Sequence, residues 1–258
     1  MKISIKFLII YFLSFMILCL LIINLALAYI SINFYRNMKW AQINTGKLNY
    51  YSSYNSKLIQ DTKKKRCVLF GDSRILQWNI LPVLNNCEMI NRGISGDTTS
   101  SSLLRIKNDV IKLKPDIVII QLGINDLTTI GISPECYDFI KGICISNLDS
   151  IIDILINNNI SVIILTIIPN SKVSIFRRVV WSDRIENAIN EVNEYINQIN
   201  RSNTFIINCN KIFIDDNNKI QTDYYKDTIH MNQKAYIELN TIVEPVLNSI
   251  INNKMDER

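Results

Sequence analysis

The sequence has few of the residues that bind metal ions. Its 258 residues include a single histidine, His230, and six cysteines, and no two cysteines are spaced as Cys-x-x-Cys. A structural zinc site needs four closely placed thiolate or imidazole ligands, and catalytic zinc sites commonly use several imidazoles. The sequence therefore predicts no metal site, and we expect any chemistry to proceed without a metal or an organic cofactor.

Charged residues are also scarce, at 20% of the chain, and the net charge is only +5. The one dense basic run, Lys63–Arg66, directly precedes a predicted strand. A nucleic-acid surface needs more basic residues, interleaved with aromatic ones. We interpret the run as the solvated entrance to the strand and expect no nucleic-acid partner. The apolar fraction of 48% is sufficient for one α/β domain with an additional segment.

That additional segment is an uncharged apolar stretch near the N-terminus. Phe7–Ile32 contains 26 residues, more than the roughly 20 that span a bilayer as a helix. We interpret residues 1–33 as a single-pass membrane anchor with the remainder of the chain extracytoplasmic. The alternative is a signal peptide cleaved near Ala28, which would leave a secreted or periplasmic protein. The stretch is longer than the ~7–15 apolar residues of a signal peptide, which favours the anchor.

Residues 34–65 are polar and rich in tyrosine, and we predict a juxtamembrane linker there. Residues 66–258 are predicted to form the folded domain. Five cysteines fall in this domain, and the sequence leaves two disulfides open, Cys136 with Cys144 and Cys67 with Cys87.

Strand and helix patterns alternate through the domain. Short runs rich in Val and Ile, without polar alternation, are typical of parallel strands buried on both faces. Longer stretches with apolar residues three and four positions apart indicate helices. The order predicts an α/β fold, a three-layer α/β/α sandwich around a five-stranded parallel sheet. The predicted strands are 67–71, 88–92, 116–122, 160–167 and 204–208, and the predicted helices are 99–113, 137–157, 182–200 and 232–251.

Ser73 follows the first predicted strand in Gly71-Asp72-Ser73. Parallel sheets bind their ligands at the carboxyl ends of their strands, so a nucleophilic serine is one interpretation. A helix cap formed by Asp72 or Ser73 is the other.

A base for such a serine is available in the chain. His230 lies three residues after Asp227, just before the last predicted helix. A serine hydroxyl needs a base to remove its proton, and histidine is the usual one near neutral pH. A carboxylate bonded to the second ring nitrogen would fix the tautomer. A polar turn is the alternative for this pair.

Donors for a developing oxyanion also occur at strand ends. Asn125 lies in Gly123-Ile124-Asn125-Asp126 after the third strand, and Gly93 follows the second. An acyl-transfer oxyanion needs donors fixed in place, so we predict an oxyanion hole from the Asn125 amide and the N–H groups of Gly93 and Ser73. Gly, Asn and Asp also favour turns for backbone reasons alone.

Together these stretches resemble the SGNH hydrolases, the GDSL esterase/lipase superfamily, over roughly Cys67 to Ile250. The resemblance implies a Ser73, Asp227 and His230 triad with the oxyanion hole named above. Arg74 replaces the leucine of the GDSL motif. The second block and Leu103–Ile106 look most like the lysophospholipase/acetylhydrolase-like branch. The four blocks are Gly71–Ser73, Asn91–Thr99, Gly123–Asp126 and Asp227–His230.

The substrate is less defined by sequence. Arg74, Arg177 and Trp181 are candidate substrate-binding residues, because arginine can hold an anion and tryptophan can stack on a sugar. The resemblance implies a small acyl ester, and for an exported, anchored enzyme we expect an acetyl or short acyl ester on cell-envelope glycan or lipid. The alternatives are a lysophospholipase or thioesterase for longer chains, an acyltransferase, and a glycan-binding module without activity.

Overall fold

The computed structural model describes residues 5–43, 50–58, 64–82, 84, 86–175 and 177–256, without the side chains of 35–43, 179 and 253–256. Parts of the predicted linker (44–49 and 59–63) and Lys63 of the basic run lie outside this range. The chain divides into two compact units, Met1–Gly46 and Lys47–Arg258.

The first unit contains one long helix, α1 (Ile5–Ile43). Its apolar part, Ile5–Phe34, is 30 residues long with a mean hydropathy of 2.8, and none of it is buried. At 1.5 Å per residue this part measures about 45 Å, which exceeds the hydrocarbon thickness of a bilayer. Length and composition therefore allow a membrane span, and a signal sequence would have the same properties.

Part of the expected linker belongs to the second unit instead. Tyr51 is 8% exposed, its hydroxyl donates to the carbonyl oxygen of Gly93 at 2.5 Å, and the guanidinium of Arg92 lies 4.5 Å from the centre of its ring. Asn55 accepts a hydrogen bond from the same guanidinium at 3.1 Å. The domain thus begins at least 15 residues before residue 66, because these aromatic and amide contacts attach residues 51–55 to the second strand.

The sheet has five parallel strands in the order β2-β1-β3-β4-β5, which confirms the predicted architecture. All residues of β1, β3 and β4 are buried, as expected for strands covered on both faces. The strands are β1 (Lys65–Gly71), β2 (Cys87–Gly93), β3 (Ile117–Gln121), β4 (Ser161–Leu165) and β5 (Thr204–Ile207).

Helices cover both faces of the sheet. One apolar core joins the sheet to α4, α5, α6 and α7, and a second joins it to α3, α8 and α9. The predicted helix 99–113 is divided in the structure. α4 ends at Asp109, because Val110 leaves the helical conformation with a φ of −125° and a ψ of −65°, and a short 3-10 turn covers Ile111–Leu113. Lys114, with a φ of 51°, ends that turn before Pro115. The bounds are α2 (Ser52–Asn55), α3 (Ser73–Leu76), α4 (Thr99–Asp109), α5 (Ile124–Leu127), α6 (Tyr137–Asn157), α7 (Arg184–Asn197), α8 (Asn210–Phe213) and α9 (Gln233–Asp256).

All six cysteines are free thiols, so neither disulfide left open by the sequence is formed in the structure. Burial raises the pKa of the Cys67 thiol and raises that of Cys209 to about 12. A buried thiol with a raised pKa is a poor nucleophile, because the thiolate is the reactive form.

Candidate active site

Ser73 is the first residue of α3, immediately beyond the carboxyl end of β1. Asp72 caps this helix, and its Oδ1 accepts the N–H of Arg74 at 2.8 Å. Gly71 has no room for a side chain, since a Cβ there would lie 2.2 Å from the carbonyl oxygen of Gln121. The capping interpretation therefore holds for Asp72, and the tight turn presents Ser73 at the carboxyl edge of the sheet.

His230 and Asp227 are held in one tight loop before α9. Asp227 Oδ1 accepts the backbone N–H of Ile229 at 2.8 Å and that of His230 at 3.0 Å. An antiparallel bridge between Tyr225 and Met231 closes the base of the loop. One carboxylate oxygen thus shapes the backbone, and the other is left for the imidazole.

The structure brings Ser73, His230 and Asp227 together although Ser73 and His230 are 157 residues apart. Asp227 Oδ2 lies 2.7 Å from His230 Nδ1, and Ser73 Oγ lies 3.0 Å from His230 Nε2. A carboxylate only accepts hydrogen bonds, so in the neutral ring Nδ1 carries the proton and Nε2 accepts from the serine hydroxyl. This is the orientation that a general base requires.

The carboxylate remains ionised in this setting. Partial burial opposes the charge on Asp227, but hydrogen bonds from the Ile229 N–H, the imidazole and the His230 N–H outweigh it and lower the pKa of the carboxyl. An ionised Asp227 stabilises a positive charge on the ring.

Asn125 lies in α5 after Gly123, which has a φ of 117°. Its Nδ2 donates to the carbonyl oxygen of Asp97 at 2.9 Å. Because a primary amide has two N–H donors, one donor fixes the side chain to the turn after β2 and the second remains for another acceptor. Asp126 fixes the same segment in place. Its carboxylate accepts two hydrogen bonds from Thr99, one from the backbone N–H at 2.9 Å and one from the side-chain hydroxyl at 2.6 Å.

The structure contradicts the prediction that the Gly93 N–H is an oxyanion donor. That N–H donates to Asn91 Oδ1 at 2.8 Å. A Cβ on Gly93 would lie 2.1 Å from the backbone nitrogen of Leu76, so the glycine is needed for close packing of β2 against α3. Its role is structural, and its donor is already used.

Gly96 is a second glycine in the turn after β2, and the sequence did not single it out. It is exposed, has a φ of 69°, and shares a peptide bond with Asp97, whose carbonyl accepts the Asn125 amide. The turn therefore places the Gly96 backbone beside Asn125. The sequence signal was a glycine a few residues after a strand, which is typical of a turn.

Arg105 stabilises the turn after β2, a role that the sequence did not indicate. Its side chain is fully buried, with Nε 2.7 Å from Asp97 Oδ2. The same guanidinium donates to the carbonyl oxygens of Arg92 and Gly71, each at 3.0 Å, and to Asp109 at 3.2 Å. One cation thus links the ends of β1 and β2 to the turn that contains Gly96.

The prediction that Arg74 contacts substrate is wrong. The residue is 1% exposed, and its guanidinium donates to the carbonyl oxygens of Ile229 at 2.9 Å and Ile168 at 2.8 Å. Burial lowers the pKa of this group. Arg74 instead links α3 to the backbone directly before His230.

Arg177 and Trp181 do lie beside the candidate site. Both line a cleft of about 420 Å³ together with Asn125 and Ile229, the residue before His230. A second cleft of about 430 Å³ includes Arg177 and Asp227. The remaining residues of the first cleft are Thr128, Thr129, Ile132 and Val180. Arg177 therefore borders both clefts.

Among the residues that the structure describes, no cluster of three or more His, Cys, Asp or Glu side chains is arranged to hold a metal ion.

A hydrogen-bonded Ser, His and Asp at the carboxyl edge of a parallel sheet is the arrangement of a serine hydrolase. A model of the GDSL-like lipase/acylhydrolase family matches residues 71–236. The match spans more than half of the chain, and the protein belongs to this family.

Solved structures share the fold at low sequence identity. A GDSL-like lipase from Bacteroides thetaiotaomicron is 22% identical with a TM-score of 0.63, over 78% of this chain and 97% of that one. A Bacteroides fragilis protein described as an acylhydrolase is 21% identical with a TM-score of 0.65, over 81% and 99%. An acetyl xylan esterase is 19% identical with a TM-score of 0.54, over 70% and 98%. No curated protein matches the sequence.

Proposed function

We propose that this protein is a serine ester hydrolase that cleaves O-acyl esters through an acyl-enzyme on Ser73. The observation that carries the proposal is the hydrogen-bonded chain from Ser73 Oγ through His230 to Asp227, with distances of 3.0 and 2.7 Å. Membership of the GDSL-like lipase/acylhydrolase family supports acyl-ester hydrolysis as the class of reaction.

The reaction divides into two acyl transfers. Ser73 Oγ attacks the ester carbonyl while His230 Nε2 takes the hydroxyl proton, and the resulting imidazolium is stabilised by Asp227. His230 then returns the proton to the departing alcohol oxygen as the C–O bond breaks, leaving an acyl ester on Ser73. A water molecule, deprotonated by the same imidazole, cleaves that ester and releases the carboxylic acid.

The tetrahedral oxyanion needs hydrogen-bond donors fixed close to the carbonyl that Ser73 attacks. We assign this role to the second N–H of the Asn125 amide, the Ser73 N–H and the backbone N–H of Gly96, which replaces Gly93 in the assignment. The bond from Asn125 to Asp97 and the buried cation of Arg105 beneath the same turn support a rigid set of donors. Fixed donors stabilise the transition state without reorganising.

We infer that the acyl group is acetyl or short and that the alcohol belongs to a cell-envelope glycan or lipid. Trp181 offers a flat face in the cleft beside Asn125. The hydroxyls of Thr128 and Thr129 donate to the carbonyl oxygen of Asn125, so their oxygens remain as acceptors in the same cleft. The acetyl xylan esterase among the structural neighbours supports the choice of an acetyl group on a glycan. We further propose that α1 anchors the domain on the extracytoplasmic side of a membrane.

The proposal is tested with the full chain in detergent micelles and a p-nitrophenyl ester series from acetate to palmitate, with Ser73→Ala as the control. We expect turnover that depends on Ser73 and falls with chain length. A preference for palmitate would replace the short-acyl assignment with a lipid or thioester substrate. Absence of Ser73-dependent turnover on every ester would refute the hydrolase.

A further inference from the structure

The second cleft beside the triad carries an excess of positive charge. Three cationic side chains line it, those of Lys172, Arg177 and Lys226. Asp227 is the one acidic group lining it among the described residues, and its oxygens are engaged by His230 and two backbone N–H groups. The cleft therefore holds three positive charges against one negative charge, a net excess of two.

The charges of the three cations are not neutralised elsewhere in the described part of the domain. None of them forms an ion pair there. Lys226 Nζ donates to Gln77 Oε1 at 3.4 Å, and this neutral partner leaves the charge in place. Lys172 is exposed, and Arg177 is half-buried between the two clefts.

The walls of the cleft are two loops fastened to each other. Tyr225 Oη donates to the carbonyl oxygen of Pro169 at 2.7 Å, and the Ser171 N–H donates to the carbonyl oxygen of Thr228 at 2.7 Å. The Thr228 hydroxyl also approaches the Lys172 carbonyl oxygen, at 3.4 Å. Because hydrogen bonds hold the backbone of both loops in place, less conformational entropy is lost when their cationic side chains bind an anion.

The position of the cleft determines which half of the substrate it meets. Lys226 and Thr228 belong to the loop that carries His230, and His230 must protonate the departing alcohol. The alcohol half therefore lies on the His230 side, where the cations are, and the oxyanion lies on the Asn125 side. Arg177 borders both clefts, so it joins the cationic cleft to the cleft that contains Asn125.

We propose that Lys172, Arg177 and Lys226 form a subsite for a phosphate or carboxylate on the alcohol half of the substrate. The inference rests on the proposed hydrolase function and narrows its substrate to esters of anionic alcohols. Ionic hydrogen bonds to phosphate or carboxylate oxygens are the interaction that such side chains make.

The test compares three esters with one acyl group and one carbon skeleton: 1-O-acetylglycerol, 1-O-acetylglycerol 3-phosphate and 3-O-acetylglycerate. The full chain in detergent should show a kcat/KM about 10-fold higher for an anionic ester than for the neutral one, because each exposed ion pair contributes a few-fold. The preference should shrink in 1 M salt, where the Debye length is about 3 Å. The two anionic esters distinguish phosphate from carboxylate.

Variants that remove one positive charge test whether the preference for anionic esters arises from this cleft. Lys172→Gln and Lys226→Gln should each lower the ratio of anionic to neutral kcat/KM by roughly 2- to 5-fold, and Lys226→Glu should lower it further. Lys211→Gln, at an exposed position of α8 outside both clefts, removes the same charge and should leave the ratio at the wild-type value.

Two outcomes separate this inference from the hydrolase proposal. Hydrolysis of acetylglycerol as fast as its anionic analogues, or equal ratios in Lys226→Gln and Lys211→Gln, would overturn the subsite and leave the hydrolase intact. If the protein hydrolyses none of the three esters and is also inactive on p-nitrophenyl acetate, both the subsite and the hydrolase proposal are refuted.

Discussion

Replacing Asp227 with asparagine separates the two roles of its carboxylate. Oδ1 accepts the N–H groups of Ile229 and His230 at 2.8 and 3.0 Å, whereas Oδ2 accepts the imidazole Nδ1–H at 2.7 Å. Asparagine retains one oxygen and places an NH2 group at the other position. The backbone N–H groups of Ile229 and His230 need an oxygen acceptor. The asparagine amide is therefore oriented with its oxygen toward them and its NH2 group toward the imidazole ring.

A ring that faces an NH2 group must accept at Nδ1 and carry its proton on Nε2. Nε2 lies 3.0 Å from Ser73 Oγ, and a protonated Nε2 cannot take the serine proton. The loss of the correct tautomer should lower kcat by about 10⁴-fold. Stability should change little in Asp227→Asn, because both backbone hydrogen bonds are retained.

Asp227→Ala is the matched comparison. It also removes the two backbone hydrogen bonds, each worth roughly 1 kcal/mol, so its free energy of unfolding should fall by about 2 kcal/mol. For a domain of this size the melting temperature should fall by roughly 4–8 °C. Turnover of p-nitrophenyl acetate and thermal melting by circular dichroism measure the two effects. An Asp227→Asn protein that keeps more than a tenth of the wild-type kcat would refute the tautomer reasoning.

Three further changes test the surroundings of the triad. Asn125→Ala should lower kcat by ~10²–10³-fold; an unchanged kcat in a steady-state ester assay would leave Asn125 a turn residue. Burial raises the pKa of Asp72 to about 6, so this carboxyl favours folding when protonated and that stability is lost as pH rises from about 4 through 6. Asp72→Asn should therefore match wild type at pH 4 and exceed it by about 3 kcal/mol at pH 8 in urea unfolding; equal stability at both pH values contradicts the shift. Arg105→Met leaves the carboxylates of Asp97 and Asp109 buried without their cation and should cost about 3–5 kcal/mol, whereas a cost below 1 kcal/mol would show that this ion pair is not needed.

The fold was predictable because its signals are local. Buried parallel strands appear as short runs of Val and Ile, and the carboxyl ends of such strands share one edge of the sheet. Ser73 and Asn125 were therefore expected at the same edge from the order of strands alone. The three-residue spacing of Asp227 and His230 fits one tight loop, which is what the structure shows.

The choice between Gly93 and Gly96 was not predictable from the sequence. It depends on the turn after β2, where Gly96 adopts a φ of 69°, and on the Asn91 side chain, which takes the Gly93 N–H. Both are properties of the folded turn. Two glycines three residues apart carry the same local signal, so the sequence alone does not distinguish them.

Long-range contacts explain the other corrections. Arg74 follows the candidate nucleophile and was expected near substrate, but its acceptors are the carbonyl oxygens of Ile168 and Ile229, 94 and 155 residues away. Tyr51 lies in a polar, tyrosine-rich segment that resembles a linker, yet its hydroxyl reaches the carbonyl of Gly93. Neither partner is visible in the local pattern.

Covalent labelling of Ser73 tests the central claim most directly. The full chain in detergent is treated with a fluorophosphonate, which modifies a serine only when a base activates it, and the modified peptide is identified by mass spectrometry. We predict stoichiometric modification of Ser73 and none in Ser73→Ala or in Asp227→Asn over the same period. Modification of another residue, or equal labelling of wild type and Ser73→Ala, would contradict Ser73 as the nucleophile.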